Sequence, residues 1–322
     1  MFAPSSMQTP FSLAPGAAVP LPPAGRRRSV FANYRAQSAS GPEELSGSPP
    51  QSLARAQATP GSAKAPQASA PQAVARAFLY RFLAKAFEDP TPTGWAWLCS
   101  TDTHAALRSV LDDFDSALGP RLRDSAERVL ACLRPEGFEP FQDDYSAAFG
   151  HAARGRCPLN EIEYGDLKAD PLFQPHRLAD LAAFYRAFGL ELAPDAAERH
   201  DHLCLELEFM SVLAAKEAYA LQAALGHDLW ELCRDSQKKF LREHLGRWTP
   251  AFTRQLVRTV DDGALGRLAV FIREFVEAEC HAFGLTPGSE ELLLRPVDEA
   301  TESLCASCGI PNLPPGAVHS PA

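Results

Sequence analysis

The sequence predicts an all-α fold, a single helical bundle over residues 72–288. Apolar residues recur there at spacings of three to five, no stretch keeps the two-residue alternation of a strand, and Pro and Gly fall at the ends of the apolar runs. No segment repeats at periods of 20 to 50 residues, so a solenoid is not expected.

The first helix is read from "AVARAFLYRFLAKAFEDP", in which Val74, Phe78, Phe82 or Leu83, and Phe87 form a stripe that Pro90 and Pro92 end. A second runs through Leu107, Val110, Leu111, Phe114 and Leu118 to Gly119-Pro120, and a third carries Leu122, Val129, Leu130 and Leu133 before Pro135. "FEPFQDDYSAAFG" is a short helix closed by Gly150, followed by a long loop over 151–175 with Pro158, Pro171 and Pro175. Helices resume at about 176–189, 196–224, 227–245, 249–260 and 264–284. The 196–224 helix has two apolar faces, Leu203, Leu207, Met210, Ala214 and Leu221 against Leu205, Phe209, Val212 and Tyr219, and is expected near the middle of the bundle.

The ends differ in composition. Residues 1–71 are dominated by Ala, Pro, Ser, Gly and Gln and cannot bury enough apolar surface to offset ordering, so they are read as a disordered arm. Residues 289–322 are read as a Pro-rich tail with one CxxC. The arm has six basic and two acidic residues, +4, which leaves −13 on the rest of a chain whose total is −9. An acidic body disfavours nucleic acid and suits a partner that carries positive charge.

Arg26-Arg27-Arg28 followed by Ser29, Val30 and Phe31 invites comparison with a twin-arginine export signal, but no apolar run follows, and export is not expected. No run has the roughly 18 apolar residues of a membrane span, which places the expected location in the cytoplasm without membrane insertion. The eight cysteines are scattered, several within apolar helical patterns, and no disulfide framework is expected.

One cluster invites a chemical reading. Glu198, His200, Asp201, His202, Glu206 and Glu208 crowd the front of the central helix, where His202 and Glu206 share an edge and Asp201 is placed to cap the free amides. A metal would need convergent ligands, yet His200 and His202 stand about 200° apart on a helix, and neither H-E-x-x-H nor Glu-x-x-His occurs. The residues alone leave three readings open: a helix cap, a small helical metalloprotein, or a lip that binds a peptide. Cys305-Ala306-Ser307-Cys308 lacks both the second pair of a zinc site and the βαβ setting of a redox motif. Neither a phosphate loop nor a nucleophile motif is present, and neither catalysis nor a cofactor is expected.

The order of "DDYSAAFG", "CPLNEIEYGD", "FYRAFGLEL", "ERHDHLCLELEFMSVLAAKEA" and "FLREHLGRWTPAFTRQL" resembles the TorD/DmsD/NarJ family of cytoplasmic maturation chaperones for molybdenum-containing oxidoreductases, over about residues 74 to 284. The resemblance implies a TorD-like helical bundle, monomer or homodimer, without catalysis. It implies as partners a molybdoenzyme catalytic subunit and its twin-arginine leader, with export delayed and cofactor insertion assisted. It also implies site residues: the family's Asp-His pair at Asp201 and His202, its helix-end aromatics at Tyr145 and Phe149, its loop acid and aromatic at Glu161 and Tyr164, and its later His and Trp at His244 and Trp248. Arg199 and His200 stand where the family usually has a Pro-containing form. The "CPLNEIEYG" loop leans toward chaperones of the dimethyl sulfoxide reductase class that serve enzymes acting on hydrocarbons, selenate, chlorate or dimethyl sulfide.

A peptide with a basic start and an apolar continuation needs acidic groups beside an apolar groove. Glu161, Glu163, Asp166, Asp201, Glu206 and Glu208 are the candidates for the first, and Phe149, Tyr164, Leu205, Phe209 and Trp248 for the second. A helical scaffold with an unrelated partner is the remaining alternative.

Overall fold

The structure is a computed structural model and describes residues 69–112, 118–150, 156–165, 173–193, 196 and 198–295. The arm up to residue 68, Phe114, Asp166 and the CxxC of Cys305 and Cys308 lie outside the described residues.

The described residues form ten α-helices and two short 3₁₀ turns, so the fold is all-α as the periodicity predicts. α1 (Ala70–Ala86) begins at Ser69, whose side chain accepts from Gln72 N. α2 (Pro92–Leu98) was not expected: Pro92, read as an ending, stands in its first turn, and the Thr91 hydroxyl caps it by accepting from Gly94 N at 3.1 Å. α3 (Thr101–Asp112) and α4 (Gly119–Cys132) follow, then α5 (Phe138–Phe149), closed by Gly150 at φ +70°. Phe173–Ala187 is α6, Leu203–Gln222 is α7, His227–Glu243 is α8, Leu245–Thr259 is α9 and Ala264–Ala282 is α10.

α7 is central, packed chiefly on α1 and α8 and also against α9. Its residues Leu203, Leu205, Leu207, Phe209 and Met210 are fully buried, as two apolar faces require. Tyr219 departs from that expectation at 64% exposed. On the other side, α10 packs on α4 and α9.

A buried ionic knot ties this arrangement together. Arg76 of α1 donates to Glu279 of α10 from Nε at 2.9 Å, to Glu217 of α7 from Nη1 at 3.0 Å and to Gln237 of α8 from Nη2. Burial works against the Arg76 charge, and the two carboxylates overcome it, so its pKa is raised.

α9 starts four residues before the predicted 249 because His244, at φ −125° and ψ −102°, is a one-residue corner between α8 and α9. Pro250 then sits inside α9 and has no N–H for the carbonyl of Gly246. That carbonyl accepts from Gly288 N at 2.9 Å instead. A Cβ on Gly288 would lie 2.0 Å from the backbone oxygen of Arg247, so the strand of chain after α10 approaches α9 this closely only through glycine. The same segment continues past residue 288: Gly165 N donates to Leu293 O, Arg295 N donates to Glu163 O, and Tyr164 bridges Leu294. Residues read as the start of a tail are thus hydrogen-bonded to the 160 loop as far as Arg295.

Candidate functional site

The site is assembled where the 156–165 loop crosses the front of α7. Asn160 and His202 form an antiparallel bridge, with Glu161 N donating to Asp201 O at 2.9 Å and Leu203 N to Leu159 O at 2.8 Å. This pairing holds residues 201–202 extended and delays the helix to Leu203, later than the predicted 196.

Asp201, expected to be the helix cap, is not. His202 is the N-cap, its Nδ1 accepting from Cys204 N at 3.3 Å. Asp201 is instead turned toward the loop and fully buried. Its carboxylate accepts from Asn160 Nδ2 at 3.1 Å and Ile162 N at 3.2 Å, and from Arg199 Nε and Nη2 at 3.0 Å each. Arg199 Nη2 also reaches Glu163 at 3.4 Å.

Glu161 is the centre of a second set. Its Oε2 lies 2.9 Å from His244 Nδ1, and its Oε1 accepts from Arg247 Nη2 at 2.9 Å, with Arg177 Nε 3.7 Å away. Burial pushes the Glu161 pKa up, but the hydrogen bond and charge of His244, with Arg247 and Arg177, hold it below the ordinary value. The other His244 nitrogen stands 3.2 Å from Asp180 of α6, close enough for an ion pair but without hydrogen-bond alignment.

Glu206 is one turn into α7 and fully buried. Trp248 Nε1 donates to its Oε2 at 3.1 Å, while its Oε1 has no hydrogen-bond partner among the described residues. Burial, then the nearby charge of Glu161, pushes its pKa far above the carboxylate range. Burial thus disfavours its charged form, and its carboxyl is turned inward rather than exposed on a lip. His202 and Glu206, expected to share an edge, serve different partners. Burial lowers the His202 pKa, which favours the neutral ring that a cap acceptor requires.

The aromatic candidates lie in one continuous stack. Tyr164 packs on Trp248 with centroids 5.3 Å apart and donates its hydroxyl to Pro158 O at 2.9 Å. Phe252 touches Trp248, Tyr164 and Phe149, and Phe149 touches Tyr145 at 4.5 Å. Tyr145 keeps partial exposure, and its hydroxyl donates to Phe87 O at 3.0 Å.

The structure therefore brings Glu161, Tyr164, Asp201, Glu206, His244 and Trp248 together, but as a buried brace. His202, Tyr145 and Glu163 keep partial exposure and Arg199 is exposed, whereas one Glu208 carboxylate oxygen is buried without a hydrogen-bond partner among the described residues. Sequence reasoning missed the cations Arg177, Arg199 and Arg247 that consume the acids. The signal for them was general: buried carboxylates need partners, and Arg247 stands beside Trp248 in the chain. No group of three or more His, Cys, Asp or Glu among the described residues is placed to hold a metal ion. None of the described helices is long and apolar enough to cross a membrane.

Fold and brace define an all-helical domain in which one buried polar set ties helices together and another holds a loop against the bundle. Residues 104–254 match the family model described as "Nitrate reductase delta subunit". The chain is 34% identical to the selenate reductase assembly chaperone protein of Thauera selenatis over 146 residues, 45% of this chain and 72% of the relative. It is 28% identical to the perchlorate reductase assembly chaperone protein of Dechloromonas aromatica over 182 residues, 55% of this chain and 74% of the relative. It is also 38% identical to the chlorate reductase assembly chaperone protein of Ideonella dechloratans over 82 residues, 26% of this chain and 41% of the relative. The chain belongs to this NarJ/TorD-type family of assembly chaperones, which is not a family of enzymes.

Proposed function

We propose that the chain is a maturation chaperone for the catalytic subunit of a molybdenum-containing oxidoreductase of the dimethyl sulfoxide reductase class. In this reading it works in the cytoplasm, binds the subunit and its twin-arginine leader, delays export and assists cofactor insertion. The observation that carries it is the similarity, over most of their length, to proteins named as assembly chaperones for selenate and perchlorate reductases.

In this reading the leader binds beside the brace. The buried set of Asp201, Glu161, Glu206, His244 and Trp248, backed by Tyr164 and Phe149, holds the loop, with Glu163, His202 and Tyr145 partly exposed at its rim. Basic residues of the leader meet Glu163 at this rim, and its apolar part follows the Tyr145 side. The −13 body favours that encounter at a distance.

Calorimetry of the full chain with the leader of a reductase catalytic subunit, at low and high salt, tests this. Binding that weakens as salt rises is expected. Absence of binding to the leader, together with failure to co-purify with the subunit, overturns the proposal.

A further inference from the structure

α8 and the connection before it turn an apolar face outward that no described element covers. Leu225, Leu229 and Leu232 recur at spacings of four and three and are 46%, 48% and 56% exposed. Several large apolar side chains grouped in this way exceed the scattered exposure usual on a surface. The bundle uses the opposite face of the helix: Gln237, about 140° around α8 from Leu232, is buried and accepts from Arg76 of α1.

Charge beside the leucines changes sign along the helix. Asp228, Glu231 and Asp235 are exposed in the first half of α8, and Lys238, Lys239 and Arg242 in the second. At the helical repeat all six fall within an arc of about 100° that begins beside Leu232, with Leu229 on its other side. α6 leaves this arc open, because its Phe184 packs on Phe240 and His244, on the Leu229 side. Lys239 Nζ sits 5.0 Å from the centre of that ring, yet the side chain stays half exposed. The pairs formed within α8, His227 with Glu231 at 3.0 Å and Lys239 with Glu243 at 3.8 Å, are surface contacts of small worth. Asp228, Asp235 and Lys238 have no ion-pair partner among the described residues.

A helix with acids in one half and bases in the other complements a second helix of the same sequence that runs antiparallel to it. A twofold axis level with the midpoint of Cys233 and Arg234 sets Asp228 opposite Lys239 of the partner subunit, with Arg242 of the partner subunit about 4.5 Å further along. The same axis offsets the two Leu232 side chains by about 4.5 Å, which is contact at an interaxial distance of about 8–10 Å. Twofold symmetry keeps each edge of the seam on the same side in both copies, so charged arc meets charged arc and leucine meets leucine. Asp235 alone approaches its own copy, and Lys239 stands beside it one turn later. The 17 residues of α8 give a seam about 25 Å long and about 10 Å wide. That is below the roughly 800 Å² per partner of a standard interface, so the contact is weak and depends on concentration.

We propose that two copies of the chain pair through α8, antiparallel about this axis, with Leu229 and Leu232 in the apolar seam and Asp228 and Glu231 facing Lys239 and Arg242 of the partner subunit. The leucines supply the attraction, and the charges fix the antiparallel direction. The pairing is independent of which client the chain serves.

Sedimentation of the full-length chain over a range of concentrations tests this. A monomer–dimer equilibrium that weakens as salt rises is expected. Asp228→Lys and Lys239→Asp, each alone, are expected to weaken it at least about tenfold. An equimolar mixture of these two variants is expected to recover it, because each reversed charge then meets its opposite across the axis, and that recovery also shows both variants to be folded. Leu232→Ser is expected to abolish pairing with helix content unchanged. A chain that stays monomeric at high micromolar concentration overturns the proposal. A dimer indifferent to all three variants also overturns it and assigns the contact to another surface. Failure of the mixture to pair, once each charge variant has lost pairing, rules out the antiparallel register and sinks the proposal as well.

Discussion

His244 Nδ1 and Glu161 Oε2 stand 2.9 Å apart with both side chains fully buried, although 83 residues separate them in the chain. The pair locks the corner between α8 and α9 to the 160 loop. Arg247 and Arg177 approach the same carboxylate, so Glu161 gathers a histidine and two arginines onto the loop.

Glu161→Ala is therefore expected to cost about 3–5 kcal/mol, since it strands buried cations and a histidine without their acceptor. Urea denaturation measures it, and a loss below about 1 kcal/mol would show the brace to be dispensable. The Glu161 pKa is depressed by folding, so its stabilisation is present above the unfolded value of about 4.3 and is lost as pH falls through the lower folded value. The variant should show a flatter acid limb than the parent.

Glu206 and Glu208 act in the opposite sense. Burial followed by Glu161 raises Glu206, and burial followed by Glu88 pushes Glu208 up to about 7. For such groups stability is complete below the unfolded pKa, about 4.3, and declines as pH rises toward the folded value. Glu208→Gln removes that decline between pH 5 and 7, and a pKa higher by one in the folded chain corresponds to about 1.4 kcal/mol. Thermal midpoints at pH 5 and pH 8 should converge in the variant; an unchanged difference would place the titration elsewhere.

The helices were legible because their stripes are local, and the brace was not. Asp201 and Glu161 read as free acids when only neighbours in sequence are considered, whereas their partners Asn160, Arg177, His244 and Arg247 come from other elements. The setting of Glu206 was hidden for the same reason: it is buried between α7 and Trp248, which raises its pKa. α2 was missed because Pro92 both ends one apolar run and suits the first turn of a new helix. The corner at His244 shows a related ambiguity, since the apolar pattern of α9 blurs into that of α8.

Gly288 offers a stringent check on the segment after α10. An added Cβ would meet Arg247 O at 2.0 Å, and backbone cannot move aside as a side chain can. Gly288→Ala should destabilise the chain by about 1–3 kcal/mol and speed hydrogen exchange at Gly165 and Arg295, whose amides depend on this segment. Unaltered exchange at those two amides would show that the segment reaches the 160 loop without passing close to α9.

Arg199 already occupies the acids that a leader's arginine would seek. Its guanidinium holds Asp201 through two bonds and reaches Glu163, yet it remains half exposed. Arg199→Ala is expected to tighten leader binding severalfold at low salt, because Glu163 is released at the rim while Asp201 keeps Asn160 and Ile162 N. Calorimetry on both chains decides this. Weaker binding in the variant would mean that Arg199 holds the rim in shape rather than competing for it.

Asp201 and His202 must be tested separately, because the structure gives them different work. Asp201→Ala leaves Ile162 N, Asn160 and Arg199 without their acceptor inside a buried loop junction, so it should cost several kcal/mol and lower client binding through the fold. His202→Ala removes one cap acceptor from α7, a loss of about 0.5–2 kcal/mol, and leaves the loop pairing through Leu203 N and Glu161 N intact. If the rim binds the leader, His202→Ala should weaken leader binding while the helical signal and the thermal midpoint change little. Circular dichroism beside a pull-down of the catalytic subunit separates the cases. Normal capture by His202→Ala would remove His202 from the binding surface, whereas an unfolded His202→Ala chain would show that the start of α7 tolerates no loss of its cap.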